Sequence, residues 1–132
     1  MKKIGEVAQQ LDISIDTLRY YEKIQLLDTI ERTDKGIRLY SDTDIANIQF
    51  IQQAQKMGFS LEEIGQLLQF RDSPQTAKPQ VRQLALEKLA AIESHITELV
   101  ALRDELKALT EQCQQSQGSC PILEKFEGSK HQ

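Results

Sequence analysis

The sequence predicts a mainly α-helical protein: a small head of short helices with one strand hairpin, then one long helix that needs a partner. Three observations predict it. Apolar residues recur at threes and fours over residues 4–23, as in two short amphipathic helices. The period drops to two around residues 37–40, as in a half-buried strand. From Ala85 to Cys113 the spacing by threes and fours then runs on as a heptad-like seam.

The first helix follows from Ile4, Val7, Ala8 and Leu11. Asp12-Ile13 makes the turn, and Ser14 suits the N-cap of a second helix with Asp16 in its first turn. Ile15, Leu18 and Tyr21 form that helix's inner stripe, leaving Asp16, Arg19, Tyr20 and Lys23 largely off it. Two short helices joined by a tight turn, the second with a polar, basic and aromatic outer face, read as a helix-turn-helix over about residues 4–23. Thr33-Asp34-Lys35-Gly36 supplies turn chemistry for a small hairpin, or wing, over about residues 30–40. Ile37 and Leu39 are expected inward, with Arg38 and Tyr40 on the opposite face. Ser41 with Asp44 opens the next helix, carrying Ile45, Ile48, Ile51 and Ala54, and Gly58 ends it. Ser60 and Glu63 make a capping box for a further helix with Leu61, Ile64, Leu67 and Leu68. Arg71-Asp72-Ser73-Pro74 is a break, and the long helix is expected to follow Pro79.

That helix carries Ala85, Leu89, Ile92, Ile96, Leu99, Leu102, Leu106, Leu109 and Cys113 on one seam. A lone helix of this length has nothing to cover its stripe, and a second copy of the chain is the simplest partner. The expected organisation is a DNA-binding winged helix-turn-helix head (residues 1–72), an antiparallel coiled-coil dimerisation helix (76–113, the dimer contact over about 79–113) and a cysteine loop with a short helix (114–132). His95 reads as structural or exposed; His131 sits in the tail.

Composition sets limits. Hydrophobic residues make up 39% and charged residues 27% of 132, which fits a folded chain. A net charge of −4 excludes a binder that relies on an overall basic surface. It leaves room for one local basic face, because charge effects are screened beyond roughly 10 Å. No apolar run approaches the roughly 20 residues of a membrane span, so the expected location is the cytoplasm, with no membrane partner. In that reducing compartment the two cysteines read as a metal or redox site rather than a staple. The sequence offers no phosphate-cradling glycine loop and no nucleophile–base set, so an enzyme is not expected.

Thr17-Leu18-Arg19-Tyr20-Tyr21-Glu22 resembles the signature of the MerR family of transcriptional activators. Gly36-Ile37-Arg38-Leu39-Tyr40 resembles its wing, and Met57-Gly58-Phe59-Ser60-Leu61-Glu62-Glu63-Ile64 its next turn and helix. The resemblance runs from Ile4 to Phe126. The tail, with Cys113, Cys120 and Pro121-Ile122-Leu123-Glu124, resembles the metal-sensing branch, particularly the copper-efflux regulators. Such dimers sit on a promoter whose spacer between polymerase contact sites is too long, and the effector makes them bend and untwist it. The resemblance therefore implies double-stranded promoter DNA and RNA polymerase as partners.

Carried over by position, the resemblance assigns DNA contact to Thr17, Arg19 and Tyr20 on the recognition helix. It adds Arg32, Lys35, Arg38 and Tyr40 in the wing, with Lys56 nearby. Arginine offers a fork of donors for phosphate or guanine, and tyrosine a hydroxyl for phosphate. Tyr20 and Tyr21 are adjacent and cannot share a helix face, so Tyr21 goes to the core and Tyr20 to the DNA side. Glu22 and Asp16 read as structural. Ile37 departs from the family, which usually has Tyr there.

Cys113 and Cys120 are soft, anionic ligands suited to Cu(I), Ag(I) or Au(I), ahead of Zn(II) or Cd(II). Divalent-metal sensors of the family usually carry a third cysteine near the start of the long helix, where copper-type sensors have Ser. The corresponding residue here is Lys78, a modulating residue that could neutralise the charge left on two thiolates and one monovalent ion. Its alternative is an exposed lysine with no effect on metal. Two other functions stay open: a thiol-redox or electrophile-responsive regulator using a Cys113–Cys120 disulfide or adduct, and a non-sensing DNA-architectural protein.

Overall fold

The computed structural model describes residues 1–115 and 117–128. Its elements run β1 (Lys2–Lys3), α1 (Ile4–Leu11), α2 (Ile15–Lys23), β2 (Glu31–Arg32), β3 (Arg38–Tyr40), α3 (Asp42–Lys56), α4 (Leu61–Phe70), α5 (Pro74–Gln115) and α6 (Pro121–Glu127). The chain divides into two compact units, a head (Met1–Gln83) and a tail (Leu84–Gln132). Ser116, His131 and the other terminal residues after Gly128 lie outside the described residues.

Local chemistry sets the head's helix ends. Asp12 turns the chain at φ 53°, and Ser14 caps α2 by accepting from the Thr17 N–H at 3.0 Å. Ser41 with Asp44 and Ser60 with Glu63 form reciprocal capping boxes on α3 and α4, each satisfying two otherwise orphaned N–H groups. In the wing turn, Gly36 donates to the Thr33 carbonyl at 2.8 Å and takes φ 83°, where a β-carbon would strain the backbone.

The sheet is antiparallel in the order β1-β3-β2. Lys2 pairs with Tyr40 and Lys3 with Leu39 on one side of β3; Glu31 pairs with Leu39 and Arg32 with Arg38 on the other. The core joins Val7 of α1, Leu18 and Tyr21 of α2, Ile30, Tyr40 of β3, Ile48 and Ile51 of α3 and Ile64 of α4. Burying each aliphatic side chain of this size contributes roughly 1.5–3 kcal/mol. Two longer bonds tie helices together: Gln52 Nε2 donates to the Leu11 carbonyl at 2.8 Å, and the Tyr21 hydroxyl to Gln55 Oε1 at 2.6 Å.

Four expectations are corrected. Tyr40, expected on the outer face of the wing, is fully buried, while Ile37, expected inward, is 40% exposed. The cause is tertiary: β3 is the central strand and α1 and α3 pack against it, so the Tyr40 side is the covered one. Ile15, expected on the inner stripe, is exposed at the first position of α2. The long helix begins at Pro74, with Pro79 inside it. Pro74 occupies a first-turn position where a missing N–H costs little; Pro79, inside the helix, loses the bond to the Gln75 carbonyl and crowds that carbonyl with its ring.

In the tail, Leu86, Leu89, Ile92, Ile96, Leu99, Leu102 and Leu106 are each between 41% and 59% exposed along α5. His95 is exposed on the same helix, 4.0 Å from Glu98. Among the described residues no helix is long and apolar enough to cross a membrane.

Candidate nucleic-acid interface and thiol pair

Helix α2 places Arg19 and Tyr20 on its exposed side, opposite buried Leu18 and Tyr21. Thr17 is half-buried, its Oγ1 2.6 Å from Ser14 Oγ. Lys35 in the wing turn and Lys56 at the end of α3 are exposed. Arg32 and Arg38 face each other across β2 and β3 and meet at one carboxylate. Arg38 Nε donates to Glu22 Oε2 at 2.6 Å, and Arg32 Nη2 to Glu22 Oε1 at 3.0 Å. Burial alone would raise the Glu22 carboxyl. The hydrogen bonds and positive charge of Arg38, then Arg32, outweigh that and hold it below the ordinary carboxylate value. Tyr40 stands beneath this surface: its pKa is raised, first by burial and then by the Glu22 charge, and its hydroxyl has no partner among the described residues.

The tail brings the two cysteines together. Cys113 lies near the end of α5, the chain reverses through Gly118 at φ 83°, and Cys120 is the N-cap of α6 ahead of Pro121. The sulfurs are 3.8 Å apart, both half-buried, with no disulfide. The Leu123 N–H at the start of α6 holds the Cys120 thiol below its ordinary pKa; burial opposes this, and contact with Cys113 assists it. Cys113 moves the opposite way, because its hydrogen bond to Cys120 and the charge there keep its proton on. Cys120 is therefore the more acidic thiol of the pair, and Cys113 the one that keeps its proton to higher pH.

This donor set fits a soft cation. Metal–sulfur bonds of about 2.3 Å put two sulfurs about 3.8 Å apart at a tetrahedral angle and about 4.6 Å apart in line. The observed 3.8 Å matches the first and reaches the second by a small opening. Among the described residues, no three His, Cys, Asp or Glu side chains converge as a ready-made metal cluster.

Lys78 belongs to the head, exposed on α5. It borders an apolar hollow of about 470 Å³ lined by Phe50, Leu67, Phe70, Pro74 and Val81, with Arg71 and Arg82 at its edge. Arg71 lies over the Phe50 ring, 4.8 Å from its centroid, and donates to Asn47 Oδ1 at 3.0 Å. Sequence reasoning missed this hollow, since its lining comes from three helices and its aromatic residues, half-buried Phe50 and Phe70, lie far apart in the chain.

Residues 2–71 match the family model described as MerR HTH family regulatory protein, and residues 45–109 the one described as MerR, DNA binding. The HTH-type transcriptional regulator ZntR of Escherichia coli strain K12 is 37% identical over 131 residues, covering 96% of this chain and 93% of that protein. The HTH-type transcriptional regulator CueR of Salmonella typhimurium strain LT2 is 34% identical over 129 residues, covering 97% and 94%. Among solved structures, the transcription regulator PbrR691 of Ralstonia metallidurans CH34, in complex with lead(II), aligns with TM-score 0.78 and 32% identity over 96% of this chain and 99% of that one.

Proposed function

This chain belongs to the MerR family of DNA-binding transcriptional regulators, and from that premise we propose that it is a metal-responsive activator whose Cys113 and Cys120 hold a soft ion. The observation that carries the proposal is the pair of cysteine sulfurs, 3.8 Å apart where the long helix ends. Cu(I) or Ag(I) is favoured over Zn(II) or Cd(II), because the sequence has no third cysteine and soft monovalent ions accept two thiolates. The likeness to a regulator solved with lead(II) supports a metal in general. Cys113 must give up its proton when an ion binds, so affinity rises with pH.

The exposed stripe of α5 supports a homodimer through residues 79–113. On promoter DNA, Thr17, Arg19 and Tyr20 face the groove, and Arg32, Lys35, Arg38 and Lys56 hold phosphates; Tyr40, in the core, is left out. The bound ion favours a dimer conformation that distorts an over-long spacer for RNA polymerase, a deformation costing roughly 1–6 kcal/mol. Lys78 modulates the charge of the occupied site.

The test is an anaerobic titration of reduced protein with Cu(I), Ag(I), Zn(II) and Cd(II) against a competing chelator, with thiolate–metal absorbance as readout. One tightly held monovalent ion per subunit, lost in Cys113→Ser and in Cys120→Ser, is expected. Weak binding of every ion would sink the proposal. Ready closure of a Cys113–Cys120 disulfide under mild oxidant, beside such weak binding, would favour a redox sensor, for which the close contact of the two sulfurs is also suited.

A further inference from the structure

Arg32 and Arg38 sit directly opposite each other on an antiparallel strand pair, where like charges repel. Glu22 lies between them and takes one hydrogen bond from each, Nε of Arg38 and Nη2 of Arg32. The carboxylate is the least exposed of the three side chains, at 17% against 22% and 44%. It also sits in the last turn of α2, one turn after Arg19, so it joins the wing to the helix that carries Arg19 and Tyr20. Each guanidinium has five N–H donors in a rigid fork, and the bond to Glu22 fixes the fork's direction while leaving its other donors for an anion.

We propose that Glu22 is a positioning residue for DNA: it converts a self-repelling arginine pair into one aimed phosphate cradle and locks that cradle to the recognition helix. The proposal rests on the reading that Arg32 and Arg38 contact DNA. It has a consequence opposite in sign to simple electrostatics. Removing a negative charge next to a phosphate-binding surface should tighten binding if only charge matters. If Glu22 aims the arginines, its removal should loosen binding.

The experiment uses the full chain and a duplex recovered from a randomised pool by that chain. Anisotropy titrations at several salt concentrations compare the parent, Glu22→Gln, Glu22→Asp, Arg32→Gln/Arg38→Gln and the triple variant; thermal melts confirm folding. Glu22→Gln is expected to weaken binding by about tenfold, the scale of one charge-assisted hydrogen bond, and to make the log–log salt slope shallower by roughly one phosphate contact. Glu22→Asp, with the charge kept but drawn back, should fall between. In the Arg32→Gln/Arg38→Gln background, Glu22→Gln should cost nothing further, because a positioning residue acts only through what it positions. Glu22→Gln binding as tightly as the parent or more tightly, while the double arginine variant is weak, would overturn the positioning role and leave the wing contacts standing. An equal extra loss in the triple variant would assign Glu22 a separate structural part. Full affinity in the double arginine variant would overturn both the wing contacts and the proposal.

Discussion

The head and the tail spend their apolar residues in opposite ways. In the head, Ile48, Ile51, Leu18 and Ile64 are fully buried by neighbouring elements of the same chain. In the tail, Ile96, Leu99 and Leu102 follow an equally regular spacing, yet each keeps about half its surface exposed. A helical stripe is thus half of an interaction. The head's own helices and sheet supply the other half there, whereas most of the α5 stripe is left uncovered in one chain, and the proposed dimer would cover it. Ionisable groups divide the same way. The head's Glu22 is made more acidic by two arginines, while the tail's Cys120 is made more acidic by the start of a helix and a neighbouring thiol.

The largest expected effect breaks the comparison directly. Ile48→Ala should destabilise the protein by about 2–5 kcal/mol, with a denaturation midpoint that falls at every protein concentration. Leu99→Asp should instead abolish the dimer in sedimentation equilibrium and lower the midpoint only by removing its concentration dependence. A dimer that survives Leu99→Asp would mean the tail's stripe is not the contact.

A second expectation separates the two thiols. At neutral pH iodoacetamide should modify Cys120 before Cys113 by mass spectrometry, since the nucleophile is the thiolate. Cys120→Ser removes the main causes that hold the proton on Cys113 and should speed alkylation there. Equal rates in the parent would contradict that order of acidity.

Smaller effects sharpen the account of the head. Ser60→Ala opens the α4 capping box and should cost about 1 kcal/mol in urea denaturation. Glu22→Gln should cost less, because Arg32 is nearly half exposed and solvent screens such pairs. Its pH dependence has a definite sign. The Glu22 carboxyl is lowered from its ordinary 4.5 in the folded protein, so its contribution is present above that value and fades as pH falls through the folded pKa. The melting-temperature gap between parent and Glu22→Gln should therefore be steady near neutrality and close in acid; a gap that widens in acid would reverse the assignment.

These differences also show which features could be read from the sequence. The caps at Ser14, Ser41 and Ser60 were legible because each depends on a residue three positions away. The seam from Ala85 to Cys113 was legible as a pattern, and its exposure in one chain follows from the same pattern. The side of Tyr40 was not legible, because it depends on Lys2–Lys3 pairing with β3 and on α1 and α3 packing there, contacts remote in sequence. A two-residue strand leaves no periodicity of its own. Glu22 could be marked as a pairing residue, but its pairing with both Arg32 and Arg38 depended on the strand register. The cysteines announced themselves by chemistry and by their place at the end of the seam. The greater acidity of Cys120 was foreshadowed by Pro121, which marks a helix start; the opposite shift of Cys113 needed the 3.8 Å contact.

The most direct test of the central claim joins the two regions in one measurement. A duplex recovered by the full chain from a randomised pool is labelled at both ends, bound by reduced protein without oxygen, and its end-to-end energy transfer followed as Ag(I) is added. The account predicts a change in transfer that saturates near one ion per subunit and is absent in Cys113→Ser, whose binding to the same duplex is retained. Tight Ag(I) binding at the cysteines with no change in the DNA would contradict it.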